Sequence, residues 1–390
     1  MREAVDYIKK NLLVPVKDLG DEGLINVAKT SMSSKLIGPD SEFFSKMVVD
    51  AMKNVKTGEN KYPVKNVHII KCHGQAVHES KLINGYILEG ARSAQGMPLQ
   101  INGCKIACVD FNLSKSKMQM GVQILIDDPA ELEKVRLKEL DITKQRCMKI
   151  LASGANVILS TKGIDDFALK YFVEKGCIAM RRVGKNDMRR IADASGATMA
   201  LSMADLESGD EKFDPSWIGT ADVCKEERIG DFDYLFIEGF KQTRVQTILV
   251  RGANEYMISE IERSIHDALC VVKRVLESNN IVAGGGAVEC ALSVYLDNYA
   301  RSLGTREQLA IAEFADALLV IPKTLAVNAT QDATDLVAKM KVFHYAAQGA
   351  TDEKKKEYSY AGLDLINGKI RNCVKGGVLE PAMSKIKSLK

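Results

Sequence analysis

The pattern that most limits the fold lies between residues 156 and 200. There Asn156-Val-Ile-Leu-Ser160, Cys177-Ile-Ala-Met-Arg181 and Ala197-Thr-Met-Ala200 read as strands, separated by helices over 165–175 and 185–194. Strands alternating with helices of that length make a parallel sheet joined by crossovers. Further strands are read at 105–111, 122–126, 232–238 and 245–251, with 67–71 and 85–89 upstream. Pro129 opens a charge-rich helix over 130–152, as proline is tolerated at a first helical position. Helices dominate on either side, over 22–30 and 40–55 before this region and over 256–345 after it. The stretch 306–321 is nearly apolar beyond its first turn and is expected as a central core helix ended by Pro322. Gly376 and Gly377 precede a strand or turn at 378–381. One α/β domain inserted between two flanks that share a helical core explains this order most simply. The expected fold class is α/β and multidomain.

A second feature bears on chemistry. Ile258, Ile261, Ile265, Leu269, Val272 and Leu276 recur every three or four positions and make one buried helical stripe. At 100° per residue Asp267 falls on the opposite side, beside Cys270 and Val271, so core packing does not require it. A short break then leads to Gly284, Gly285 and Gly286, which open a helix striped by Val288, Ala291, Leu292, Tyr295 and Tyr299. Helix N-termini carry unsatisfied N–H groups, and glycine lets backbone approach a ligand closely. The run lacks the Lys-Ser/Thr ending of a P-loop and the spacing of a dinucleotide fold. Either feature alone reads as a solvated charge or a tight loop; the combination points to a nucleotide.

Composition narrows the class. A formal net charge of +3 over 390 residues gives no electrostatic case for nucleic acid or a membrane surface. Nine cysteines without paired spacing fit free buried thiols in a reducing, intracellular compartment. Cys72, His73 and His78 cluster without metal-site spacing, and no metal ligand is assigned. No run approaches the length of about 20 apolar residues that a membrane helix needs.

The chain resembles the group II chaperonins. The resemblance is carried by Lys29-Thr-Ser-Met-Ser-Ser-Lys35, Ser153-Gly-Ala-Asn-Val-Ile-Leu159, Gly163-Ile-Asp-Asp166, Arg181-Arg-Val183 and Ser195-Gly-Ala-Thr198. It continues through Leu249-Val-Arg-Gly-Ala-Asn254, Gly284-Gly-Gly-Ala-Val-Glu289, Arg306-Glu-Gln-Leu-Ala-Ile-Ala312, Ile321-Pro-Lys-Thr-Leu-Ala326 and Gly377-Val-Leu-Glu-Pro381. Met32-Ser-Ser-Lys-Leu-Ile-Gly38 and the segment 266–278 are similar to one subunit type of the eukaryotic cytosolic complex.

The resemblance implies a chaperonin fold with a helical equatorial part at 1–33 and 273–390. It also implies an intermediate domain at 34–88 and 244–272, and an inserted apical domain at 89–243, with the helix after Pro129 similar to a lid protrusion. It implies an ATP-driven double ring in the cytoplasm, with other chaperonin subunits as partners and unfolded clients such as actin and tubulin. By the same comparison Asp267 is the catalytic aspartate and Lys35 senses the γ-phosphate. Gly284, Gly285, Gly286, Asp364, Leu365 and Glu380 are base- and ribose-side contacts, Glu380 standing where some relatives carry Asp. The family's Gly-Asp-Gly-Thr-Thr phosphate loop and its Mg2+ ligand are expected upstream of residue 1, and further equatorial helices beyond Lys390. Two other readings compete: a module that binds unfolded protein without turning over ATP, and an enzyme acting on a small molecule. No His/Cys/Ser constellation supports the last.

Overall fold

The computed structural model describes residues 1–16, 19–58, 60–115, 129–203, 211–241, 245–304, 306–349 and 352–390. The expected strand at 122–126 lies outside them. Two compact units divide the chain: Met1–Lys53 with Gly58–Val64 and Ser259–Lys390, and Asn54–Thr57 with Lys65–Ile258. The stretches expected as an intermediate domain are shared between the two.

In the second unit a six-stranded sheet runs in the order Gly85–Glu89, Phe232–Glu238, Gly219–Ile229, Gln100–Val109, Val157–Ser160, Ile178–Met180. The last three strands are parallel, with Ile106 opposite Val157 and Val157 opposite Ile178, and the rest are antiparallel. Side chains alternate between faces with period two. Ile106 and Cys108 pack with Leu159, Met188 and Ile191 on one face, whereas Ala107 and Val109 pack with Ile150, Ile158 and Phe172 on the other. Both faces are buried, which explains why these strands are continuously apolar. The helices Pro129–Ala152, Asp166–Glu174 and Lys185–Ser195 form close to their expected bounds. The expected strand at 197–200 does not form. Its ladder is reduced to one bridge, Ala200 to Val109, because Thr198 N–H turns to the Trp217 carbonyl instead. A three-stranded sheet of Val67–His73, Gln246–Gly252 and Lys81–Ile83 completes the unit.

The first unit is mainly helical around a small antiparallel sheet, Val14–Pro15, Asn280–Ala283 and Leu379–Pro381. Ile8, Leu12, Val282, Leu292 and Leu296 form one core cluster, and Cys290, Leu319, Leu336, Met340 and Leu363 another. The expected central helix at 306–321 is corrected in two ways. It splits into Glu307–Leu318 and Val320–Asn328, and Pro322 sits in the first turn of the second. Proline fits there because first-turn N–H groups have no intrahelical acceptor. Nor is the stretch central. Leu309, Val320 and Ile321 are exposed, while Ala315, Leu318 and Leu319 are buried and Ile311 and Phe314 pack against the core in part. The two-stranded hairpin of Ala361–Asp364 and Lys369–Asn372 has no counterpart in the sequence reading.

Candidate functional site

Lys35 and Asp267 meet in an ion pair, Nζ donating to Oδ2. Asp267 lies on the helix Glu255–Ser278, whose buried residues include Ile261, Ile265, Leu269 and Val272. The carboxylate emerges on the other side, with 57% of its side chain exposed. Lys35 occupies a run of turns after the helix Gly20–Met32, where its N–H donates to the Met32 carbonyl at 3.0 Å and its carbonyl accepts from Gly38 at 2.8 Å. That helix is tied down near its end. Thr30 Oγ1 donates to the Asn26 carbonyl at 2.8 Å and accepts from the Leu379 amide at 3.3 Å. The segment delivering Lys35 is thereby fixed to the strand that carries Glu380.

The glycine turn is built by close backbone contact. Gly285 and Gly286 adopt φ of 65° and 77°, a left-handed conformation that a side chain would strain. A Cβ on Gly285 would lie 3.1 Å from Leu363 N, Leu363 O and Cys373 Sγ. Leu363 N–H donates to the Gly285 carbonyl at 3.0 Å, and Gly284 N–H to the Val378 carbonyl at 2.9 Å. Gly286 then caps the helix Ala287–Ser302. Neither Gly285 nor Gly286 N–H donates to a backbone carbonyl among the described residues, so the turn presents unsatisfied donors at a positive helix end.

Glu380 lies against this turn, and Asp364 and Leu365 follow Leu363, which touches it, along the hairpin. Asp364 Oδ1 accepts from the Ile366 and Asn367 amides at 3.2 and 3.3 Å, and Oδ2 from Asn367 Nδ2 at 2.9 Å. The Asn367 side-chain amide, chiefly, holds its carboxyl below the usual carboxylate range. Its side chain therefore closes the hairpin tip. Leu365 packs against Leu336, Met340 and Leu363. Glu380 Oε1 would lie 3.1 Å from a Cβ on Gly284, and Oε2 pairs with Lys385 Nζ at 2.7 Å. Lys385 also binds Glu289 Oε1 at 2.6 Å.

The sequence-predicted residues thus form two groups. Lys35 pairs with Asp267, and the glycines lie against Glu380 and the hairpin strand that leads to Asp364 and Leu365. Asp267 lies eleven residues before Ser278, about 16 Å along the axis at 1.5 Å per residue. Lys385 and Glu289 were not singled out from sequence. The available signal was a basic residue on the helix after Pro381, within reach of two acids. Among the described residues no group of three or more His, Cys, Asp or Glu side chains could hold a metal ion. The described residues supply no Mg2+ site of their own. No described helix is long and apolar enough to cross a membrane.

Residues 1–390 match the model of the TCP-1/cpn60 chaperonin family. T-complex protein 1 subunit alpha of Arabidopsis thaliana is 59% identical over 99% of this chain and 71% of that protein. The corresponding subunit of Dictyostelium discoideum is 52% identical over 100% of the chain and 71% of that protein. A thermosome subunit of Pyrococcus horikoshii is 35% identical over 100% and 68%. Among solved structures, an open-state monomer of a group II chaperonin from Methanococcoides burtonii superposes with a TM-score of 0.71 at 28% identity, covering 100% of this chain and 88% of that one.

Proposed function

This chain belongs to the TCP-1/cpn60 chaperonin family, and from that premise we propose that it is a protein-folding subunit driven by ATP hydrolysis. It works within a cytoplasmic double ring beside other chaperonin subunits, on unfolded clients that include actin and tubulin. The observation that carries the nucleotide reading is the Lys35–Asp267 pair. Two side chains from distant parts of the chain, neither required by the core, converge on one place. Hydrolysis of a γ-phosphate asks for an oriented water and balanced charge rather than covalent help. The γ-phosphate replaces Asp267 as the partner of Lys35. The released carboxylate then accepts a hydrogen bond from the water that attacks phosphorus as the bond to the bridging oxygen breaks. The glycine turn offers its amides to the nucleotide, and Glu380 takes the ribose side. Water cannot be oriented by Asp267 until a rearrangement brings the carboxylate to the phosphate, which ties turnover to conformational change.

The test is the full-length subunit carrying Asp267→Ala, assayed for nucleotide affinity and for steady-state ATP turnover. Turnover is expected to fall by at least about 100-fold, with the dissociation constant for ATP changed no more than a few-fold. Turnover per bound nucleotide that survives the substitution overturns the assignment.

A further inference from the structure

The Glu289–Lys385 pair beside the glycine turn has no place in the chemistry above. Glu289 lies in the first turn of the helix Ala287–Ser302 and is only 5% exposed. Its Oε1 receives Lys385 Nζ at 2.6 Å, and its Oε2 is buried with no hydrogen-bond partner. Lys385 rises from the helix Ala382–Leu389, its side chain 16% exposed, and divides itself between Glu289 and Glu380. Burial alone would lower the lysine's pKa, but the Glu289 and Glu380 carboxylates outweigh it and raise the value. Such an arrangement is a poor way to gain stability. Desolvating two carboxylates and an ammonium consumes most of their attraction, and one oxygen remains unsatisfied.

Its geometry does fix a direction. The Lys385 contact to Glu380 falls on Oε2, at 2.7 Å. The other oxygen, Oε1, is left on the side of Gly284, where a Cβ would come within 3.1 Å of it. The same strand is registered against the turn, with Val282 opposite Glu380 and Ala283 opposite Leu379. A carboxylate on a three-bond side chain, 30% exposed, would otherwise sample several rotamers.

We propose that Lys385, itself seated by Glu289, is a positioning residue that presents Glu380 Oε1 to a ribose hydroxyl of the bound nucleotide. It thereby sets the preference for ribonucleotide over deoxyribonucleotide. This rests on the nucleotide reading above and adds to it the source of sugar selectivity. A merely structural lysine would affect all nucleotides alike, whereas a positioning lysine affects the difference between them.

The experiment compares ATP, 2′-deoxy-ATP and 3′-deoxy-ATP binding to the full-length chain by titration calorimetry. Wild type should bind ATP at least about tenfold more tightly than one of the deoxy forms, as a hydrogen bond to a charged group allows. The double variant Glu289→Gln/Lys385→Met removes both buried partners together, so the one charge left without its partner is Glu380, which is 30% exposed and reaches water. It should keep the wild-type melting temperature to within a few degrees while its preference falls to within about twofold of unity. Lys385→Arg, which keeps the cation, should retain the preference. A double variant that still discriminates overturns the proposal, as does a wild type that never discriminates. Absence of ATP binding by wild type overturns the nucleotide reading and this inference with it.

Discussion

Lys35 and Asp267 lie 232 positions apart yet share one ion pair. Both side chains are partly exposed, 28% and 57%. A pair of that kind contributes at most about 1 kcal/mol to folding, which separates its functional weight from its structural one. Lys35→Ala should therefore leave the melting temperature within a few degrees of wild type. It should also remove the ATP-dependent change in protease sensitivity or intrinsic fluorescence. An ATP response of unaltered size and rate would remove Lys35 from the phosphate. The two residues differ in how far the sequence reveals them. Asp267 stands out through periodicity, because the stripe of Ile261, Ile265 and Leu269 fixes which side of the helix is buried. Lys35 sits in turns, where no period operates, and it is found only through resemblance.

At the scale of elements, His344 links a helix to the hairpin beneath the glycine turn. It lies on the helix Ala333–Gln348, is 1% exposed, and places Nε2 2.8 Å from the Ala361 carbonyl. A carbonyl only accepts, so Nε2 holds the proton. Burial drives its pKa down to about 4 from the usual 6.5, the Ala361 carbonyl only partly offsetting this. The folded chain therefore resists protonation between pH 6.5 and 4 while the unfolded chain accepts it. Stability from this residue is whole above pH 6.5 and is lost as pH falls toward 4, by about 3 kcal/mol in all. Urea titrations at pH 7 and pH 5 should show the difference, and His344→Gln, which keeps a donor, should flatten that slope. A slope unchanged by the substitution would place the acid sensitivity elsewhere. The hairpin that receives this hydrogen bond did carry a sequence signal, Asn367-Gly368 in its turn with Gly368 at φ 61°, but strands of only four residues on either side gave no period to go with it. Pro322 misled for a related reason. A proline ends one helix or begins another, and the sequence does not say which.

The whole molecule comprises two compact units, and such chains depart from two-state unfolding. The single tryptophan, Trp217, lies in the sheet-rich unit against Phe213, 5.4 Å between ring centroids. Its fluorescence reports that unit, whereas far-UV circular dichroism reports both. The two denaturation curves should not coincide, and acid should shift the circular dichroism curve more, since His344 lies in the other unit. Superimposable curves at every pH would mean the units unfold as one. The alternation of strands and helices over 156–195 was legible because burial on both faces leaves apolar runs bounded by turns. The exposure of Leu309 at 73% and Val327 at 62% was not, since an apolar helix looks the same whether or not a neighbour covers it.

Eight of the nine thiols are buried, and Cys270, one turn beyond Asp267, is the exception. A maleimide dye applied to the native protein should attach once, and about nine times after denaturation. Uniform labelling of the folded chain would contradict the burial of the others. The molecule thus carries its own address for a spectroscopic tag, one helical turn from the acid proposed to orient water, with no engineered handle to perturb it.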